Sequence, residues 1–144
     1  MSTATNDESK KLTRGYRNNN PLNIRYNRLN DWRGRLYPNT DGTFEQFSSM
    51  EYGYRAAIKL IRNYIESGYN TVALIISRWA PDNENNTEGY INTVCNITGF
   101  LPSQKIDASN EFMIEKLIYA MAIAENGYNP LPNADQIKAG WKLL

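Results

Sequence analysis

Apolar residues recur at helical spacing along most of the chain after residue 48. In the first such segment they occupy one broad helix face, made of Tyr54, Ala57, Ile58, Ile61, Tyr64 and Ile65. Ser48 or Ser49 can cap this segment at its start, and Gly68 can end it at Ser67. The pattern therefore predicts a long amphipathic helix that buries one face.

Cap residues and helix breakers predict four further helices in the rest of the chain. The expected caps and spans are Asn70 for residues 71–79, Asn86 or Thr87 for a segment ending at Thr98, Ser109 for residues 110–125, and Asn133 for a last segment. Pro81 and Gly99 follow two of these segments and cannot continue a helix without cost. Everything after residue 48 is thus expected to be helical.

Residues 23–47 show alternation between apolar and polar positions, interrupted by turn residues. Three short segments, 23–26, 32–37 and 43–47, have this pattern, and Asp41-Gly42 before the third is typical of a hairpin. The sequence therefore predicts an α+β fold that is mostly helical, with a small three-stranded antiparallel β-lobe near the N-terminus. Residues 1–12 are polar and aperiodic and are expected to be a flexible tail before a single domain over 13–144.

The absence of one residue type excludes several kinds of chemistry. None of the 144 residues is histidine, so Ser-His-Asp and Cys-His catalysis are both excluded. Catalytic zinc sites nearly always use histidine ligands, and no metal or other cofactor is expected. Cys95 is the single cysteine, which excludes an internal disulfide. Enzymatic function would have to rest on Asp, Glu, Tyr or Lys.

The net charge of +1 conceals an uneven distribution. Residues 1–35 carry eight Lys or Arg against three Asp or Glu, whereas the rest of the chain is acidic. A basic front part is compatible with an anionic polymer, either nucleic acid or a cell-wall glycan, and equally with a solvated surface. No apolar run is long enough to span a membrane, and the polar N-terminus lacks the pattern of a secretory signal peptide.

A glutamate at the end of the most apolar segment is the strongest candidate for catalysis. The segment from Leu117 runs directly into the turn Glu125-Asn126-Gly127-Tyr128-Asn129-Pro130. Apolar surroundings raise the pKa of a carboxyl group, because desolvation penalises the anion. Such a group can protonate a glycosidic oxygen near neutral pH. The alternative is a solvated glutamate at a helix end.

This turn resembles the Glu-Ser-Gly-x-Asn-Pro pattern of soluble lytic transglycosylases, which cleave peptidoglycan. Glu125, Gly127, Asn129 and Pro130 match the pattern, and Asn126 replaces its serine. A second series is similar to bacterial cell-wall glucosaminidases. It comprises Asn19-Asn20-Pro21-Leu22-Asn23-Ile24-Arg25, Trp32-Arg33-Gly34, the Phe44 to Ser49 segment, and Arg78-Trp79-Ala80-Pro81 with Tyr90 beyond it. Asn23 stands where that pattern has glycine.

The order of these two matches is reversed relative to the glucosaminidases, whose glutamate helix precedes the Asn-Asn segment. A circularly permuted lysozyme-like domain would explain the reversal, since chain ends of compact domains are often close. The Arg17-Asn18-Asn19-Asn20-Pro21 arrangement also resembles small phage or prophage virion-associated proteins. That resemblance implies a protein of the virion or the infected-cell cytoplasm that acts on the bacterial cell wall, with peptidoglycan strands and other virion proteins as partners.

The resemblance implies a set of binding residues around Glu125. Asn19, Asn20 and Asn23 would bond sugar hydroxyl and N-acetyl groups, with Arg25 near carboxylates of the substrate. Trp32, Trp79 and Tyr90 would stack on sugar rings. The alternatives are turn-stabilising asparagines and aromatic residues of the core.

A second carboxylate is needed if the reaction is a two-carboxylate hydrolysis. The candidates are Asp41, Glu45, Asp82 and Glu84, each of which can also be an ordinary surface or turn carboxylate. A lytic transglycosylase needs one glutamate only, because a hydroxyl of the sugar itself attacks.

The sequence therefore predicts a peptidoglycan glycan-strand cleaving enzyme, a lytic transglycosylase or a muramidase or glucosaminidase, with Glu125 as general acid and base. Two other classes stay open. One is a non-catalytic virion structural or glycan-binding protein with the same fold. The other is a nucleic-acid-binding module that uses the basic front part, whose binding would weaken steeply with salt.

Overall fold

A computed structural model describes residues 12–83 and 85–144 of the chain. Within these residues the secondary structure is six α-helices: α1 Arg14–Arg17, α2 Met50–Glu66, α3 Val72–Trp79, α4 Thr87–Thr98, α5 Glu111–Asn126 and α6 Ala134–Lys142. The five helices predicted after residue 48 are confirmed. Helix α1 is a single turn that the hydrophobic pattern does not predict. The predicted flexible tail lies outside the described residues except for Leu12.

Side-chain caps set the start of each long helix. Ser49 accepts a hydrogen bond from the Tyr52 backbone N–H, and Asn86 and Asn133 cap α4 and α6 as predicted. Two caps lie one residue later than expected, since Thr71 caps α3 and Asn110 caps α5. A threonine or asparagine oxygen satisfies an otherwise unpaired N–H as well as its neighbour would, so the sequence leaves such a choice open.

The predicted three-stranded β-lobe, and with it the α+β lysozyme-like class, is wrong. The described residues contain no β-strand. Isolated bridges join Arg25 to Phe44 and Arg35 to Phe47 in the front part of the chain. Hydrogen bonds from side chains to the backbone also hold this segment together. The Asn20 side-chain nitrogen donates to the carbonyls of Ile24 and Glu45, and its oxygen accepts from the Ile24 N–H. These hydrogen bonds join the two parts of the segment without continuous strand pairing. The described chain is a helical fold.

The core lies between the long helices. Helix α2 packs against α6, and α5 packs against α4 and α6. Residues of α5 that are fully buried include Ile114, Leu117, Ile118 and Met121. Because α5 is enclosed along most of its length, its last turn is held firmly in place.

The irregular segment 18–49, called the front segment below, is fixed against both α2 and α5. A Cβ atom at Gly53 would lie 1.9 Å from the Asn19 carbonyl oxygen, so only glycine lets α2 approach this turn. The buried Asn126 side chain donates to the carbonyls of Pro21 at 2.8 Å and Ala122 at 2.9 Å. Its oxygen accepts from the Thr13 hydroxyl. Asn126 thus ties the end of α5 to the front segment.

Candidate active site

The Glu125 carboxylate is the meeting point of side chains from three other parts of the chain. The Asn23 amide donates to its Oε1 at 2.9 Å. The Trp79 indole N–H donates to Oε2 at 3.2 Å, and the Tyr90 hydroxyl donates to the same oxygen at 2.8 Å. Glu125 is half-buried in the last turn of α5. This carboxylate is therefore a built site and not a solvated helix end.

Asn23 reaches Glu125 from an unusual backbone conformation. Its φ is +54°, in the left-handed region that asparagine and glycine adopt more readily than other residues. A Cβ atom at Gly15 would lie 2.8 Å from the Asn23 amide oxygen, so Gly15 leaves room for this side chain.

Trp79 and Tyr90 use their polar ends to hold the carboxylate. Burial, and then the neighbouring Glu125 charge, raises the pKa of the Tyr90 phenol well above its ordinary value. The phenol therefore stays protonated and remains a donor, and an indole N–H can only donate. Trp79 also lines the groove described next, whereas Tyr90 does not. The predicted stacking on sugar rings is available to Trp79 and not to Tyr90 in this arrangement.

A groove with a volume of about 760 Å³ opens in front of Glu125. Its lining comes from the front segment (Asn23, Arg25, Tyr26, Arg28 and Trp32 among others), from Leu60 and Tyr64 of α2, and from Arg78 to Pro81 at the end of α3. Amide, aromatic and basic side chains thus surround one carboxylate. The structure places Asn23, Arg25, Trp32 and Trp79 of the predicted binding set in this groove with Glu125.

Two predicted sugar ligands lie elsewhere and support the front segment. Asn20 is fully buried, and its amide nitrogen donates hydrogen bonds to the carbonyls of Ile24 and Glu45. Asn19 has a φ of +53° and donates to the Phe47 carbonyl at 3.1 Å. Neither lines the groove, so the alternative role of turn stabilisation describes both.

The candidate second carboxylates are separate from Glu125. Asp41 pairs with Arg14 at 2.7 Å and accepts from Asn18 at 3.0 Å. The Arg14 guanidinium holds the pKa of the Asp41 carboxyl well below its usual range. Asp82 is exposed and accepts from the Thr87 backbone at 3.4 Å. Glu84 lies outside the described residues.

The Glu45 side chain is fully buried, with the Asn27 backbone and the charge of Arg35 as its polar surroundings. Burial raises the pKa of this group. Like Asp41 and Asp82, Glu45 does not line the groove. Within the described residues, Glu125 is therefore the one carboxylate in the groove lining.

Several residues of the site were not predicted. Asn126, Gly15 and the groove arginines Arg28 and Arg78 all position or line it. Asn126 directly follows the candidate glutamate, and its place in the matched turn was a usable sign of its importance. The others have no distinguishing local pattern.

The described residues contain no group of three or more His, Cys, Asp or Glu side chains that could hold a metal ion. None of the helices in this part of the chain is long and apolar enough to cross a bilayer.

The fold and site define a helical protein with a groove centred on one glutamate. No protein-family model matches the sequence. The chain belongs to a family of bacteriophage proteins, as its similarity to one phage relative shows. That relative is Protein P5 of Pseudoalteromonas phage PM2, which is 42% identical over 132 residues, in an alignment that covers 90% of this chain and 80% of the relative. The predicted bacteriophage association is thus supported.

Proposed function

We propose that this protein cleaves the β-1,4 glycan strand of peptidoglycan, with Glu125 as the single general acid and base. The observation that carries the proposal is the convergence of Asn23, Trp79 and Tyr90 on Glu125 beside an open groove. Fixed donors of this kind set the position of a reacting group before substrate binds. The enzyme would act on the cell wall from the virion or from the infected-cell cytoplasm.

The two oxygens of Glu125 have different tasks in this proposal. Oε2 accepts from both Trp79 and Tyr90, whereas Oε1 accepts from Asn23 alone. Oε1 therefore keeps more capacity to carry and transfer a proton. It gives that proton to the glycosidic oxygen, and the bond to the anomeric carbon breaks with its electron pair on the leaving oxygen.

A hydroxyl of the same sugar then completes the reaction. It bonds to the anomeric carbon and returns its proton to the Glu125 carboxylate, which restores the acid. Two-carboxylate glycosidases need a second carboxyl group roughly 5 to 9.5 Å away. Because Asp41, Glu45 and Asp82 are all outside the groove lining, the single-glutamate route is the one that the described residues favour.

The test is cell-wall clearing by purified wild type and by Glu125→Gln. The matched control is Glu66→Gln, which changes an exposed glutamate at the end of α2. We expect clearing by wild type and Glu66→Gln and its loss in Glu125→Gln. Equal clearing by all three would reject the assignment of Glu125. Mass spectrometry of the products distinguishes an anhydro-sugar end, expected here, from a hydrolysed reducing end.

A non-catalytic virion or glycan-binding protein is the second candidate. The same three hydrogen bonds favour it in one respect, because they make Glu125 a tie between the front segment, α3 and α4. In that case Glu125→Gln lowers the melting temperature, and neither variant nor wild type releases glycan products. Calorimetry on the proteins used for the clearing assay separates the two roles.

A further inference from the structure

The groove around Glu125 is positively charged along its lining. Arg28 and Arg78 line it without an ion pair to any described residue, and Glu125 is the one carboxylate among the described lining residues. Uncharged sugars are bound through hydroxyl and amide groups and through ring stacking, which Asn23, Trp32 and Trp79 can supply. The arginines therefore indicate that the ligand carries negative charge as well as sugar.

Arg78 is held in place by aromatic rings. Its guanidinium carbon lies 5.4 Å from the centre of the Tyr64 ring and 5.9 Å from that of Tyr69. Such stacking orients a guanidinium while leaving its edge N–H groups available. Arg78 lies in the last turn of α3, and Arg28 lies in the exposed part of the front segment. The two arginines thus reach the groove from different elements.

Neither Arg28 nor Arg78 forms an ion pair with a described residue. The ion pair that does form between described residues joins Arg14 to Asp41. A guanidinium fork presents parallel N–H groups that match a carboxylate in two places at once. Arg28 and Arg78 are therefore suited to carboxylates supplied by a ligand.

We propose that Arg28 and Arg78 bind the carboxylates that a peptidoglycan strand carries on its muramic acid residues, so that the groove selects acidic strands over neutral amino-sugar polymers. This inference rests on the proposed function, since it assigns the substrate class of the same groove. Two groups of the strand supply carboxylates, the lactyl group and the attached stem peptide.

A nucleic acid is the other anionic polymer to consider, and the structure favours it less. Two other basic residues near the N-terminus are engaged elsewhere: Arg14 pairs with Asp41, and Arg35 donates to the Asn30 carbonyl. A continuous track of phosphate-binding groups is therefore not formed by these residues.

The experiment measures binding with full-length Glu125→Gln, so that turnover does not consume the probe. The probes are chitin oligosaccharides without carboxylates, amidase-stripped glycan strands with lactyl carboxylates only, intact stem-bearing strands of similar length, and a single-stranded oligonucleotide. We expect affinity to rise in the order of the first three probes. The oligonucleotide should bind more weakly than stem-bearing strands.

Charge-removing variants identify the responsible groups. Arg28→Gln with Arg78→Gln, made in the Glu125→Gln background, should weaken binding to stem-bearing strands roughly fivefold, the scale of exposed charge pairs, with little change for chitin. Arg17→Gln is the matched control, because it removes an exposed guanidinium that does not line the groove. Raising salt from about 0.05 M to about 0.5 M should reduce the preference, as screening shortens the reach of these charges.

The outcomes separate this inference from the proposed function. Equal affinity for chitin and acidic strands, or equal loss in the Arg17→Gln control, overturns the inference even if the wild type cleaves cell walls. If the stripped strands bind more tightly than chitin, the contact is at the lactyl group. If only the intact strands bind more tightly than chitin, the contact is at the stem peptide. Both results support the inference. Tightest binding to the oligonucleotide overturns it in favour of nucleic acid. Absence of glycan cleavage by wild type rejects the enzyme proposal alone.

Discussion

The helical part of the molecule and its front segment are stabilised in different ways. Helices α2 to α6 follow from side-chain caps and from apolar faces that meet in a buried core. The front segment, residues 18–49, has neither regular strands nor helices and depends on specific side-chain hydrogen bonds such as those of Asn20. The first kind of structure tolerates exchange of similar residues, and the second depends on single atoms. The candidate site uses both, since a rigid helix end supplies Glu125 and the front segment supplies Asn23.

The largest effect should come from the helical core. Leu117→Ala leaves a cavity in the fully buried part of α5 and should lower the free energy of unfolding by about 2–5 kcal/mol. Chemical denaturation measures this loss. Leu101→Ala, at an exposed position, is the control and should change it little. A small loss in Leu117→Ala would mean that the core can collapse around the gap.

Asn126→Ala should weaken the attachment of the front segment to α5 while leaving the helices formed. The Pro21 carbonyl would lose its donor, and the expected cost is about 1–3 kcal/mol. Because Asn23 is held next to Pro21, cell-wall clearing should fall more than stability alone explains. Asn96→Ala, at an exposed position of α4, is the matched control. Clearing that falls only in proportion to the folded fraction would contradict a positioning role.

Glu45→Gln should stabilise the front segment at neutral pH. The raised pKa means that folded Glu45 holds its proton more tightly than the unfolded chain does, so its contribution to stability is present at acidic pH and is lost as pH rises above its ordinary value of 4.5. Glutamine keeps the shape without the charge. We expect a higher melting temperature than that of wild type at pH 7 and little change at pH 4. Thermal melts at both pH values test this, and an equal shift at both would contradict it.

The smallest expected effect on stability comes from Glu115, whose carboxyl group lies on α5. Burial, and then the hydrogen bond and charge of Glu111, raises the pKa of Glu115 to about 7, against the opposing charges of Lys138 and Lys142. Stability contributed by protonated Glu115 should therefore be lost as pH rises from about 4.5 to about 7. Glu111→Gln should reduce this loss, by less than about 1 kcal/mol because solvent screens the pair. Melts across this pH range measure it, with Glu88→Gln as control.

The comparison also explains what the sequence could and could not predict. Ser49, Asn86 and Asn133 mark helix starts because capping is a local interaction, so the helices were predictable. The alternation through Phe44 to Phe47 predicted a strand, and the structure has isolated bridges at these two residues instead. Side-chain amides from Asn20 and Asn39 take backbone groups that a ladder would use, and such competition is not visible in a periodic pattern.

The candidate site was predictable only where it depends on local sequence motifs. Glu125 and Asn23 belong to short motifs, and the structure brings them within hydrogen-bond distance. Trp79 and Tyr90 were singled out for their rings, yet their N–H and O–H groups are what contact Glu125. Arg28 and Arg78 become neighbours of the site only through tertiary packing, which no local pattern encodes.

The contact between Asn23 and Glu125 spans 102 residues of sequence. During synthesis, a ribosome must release nearly the whole polypeptide before these two side chains can meet. Nascent chains that end before residue 125 therefore cannot form this contact or complete the lining of the groove.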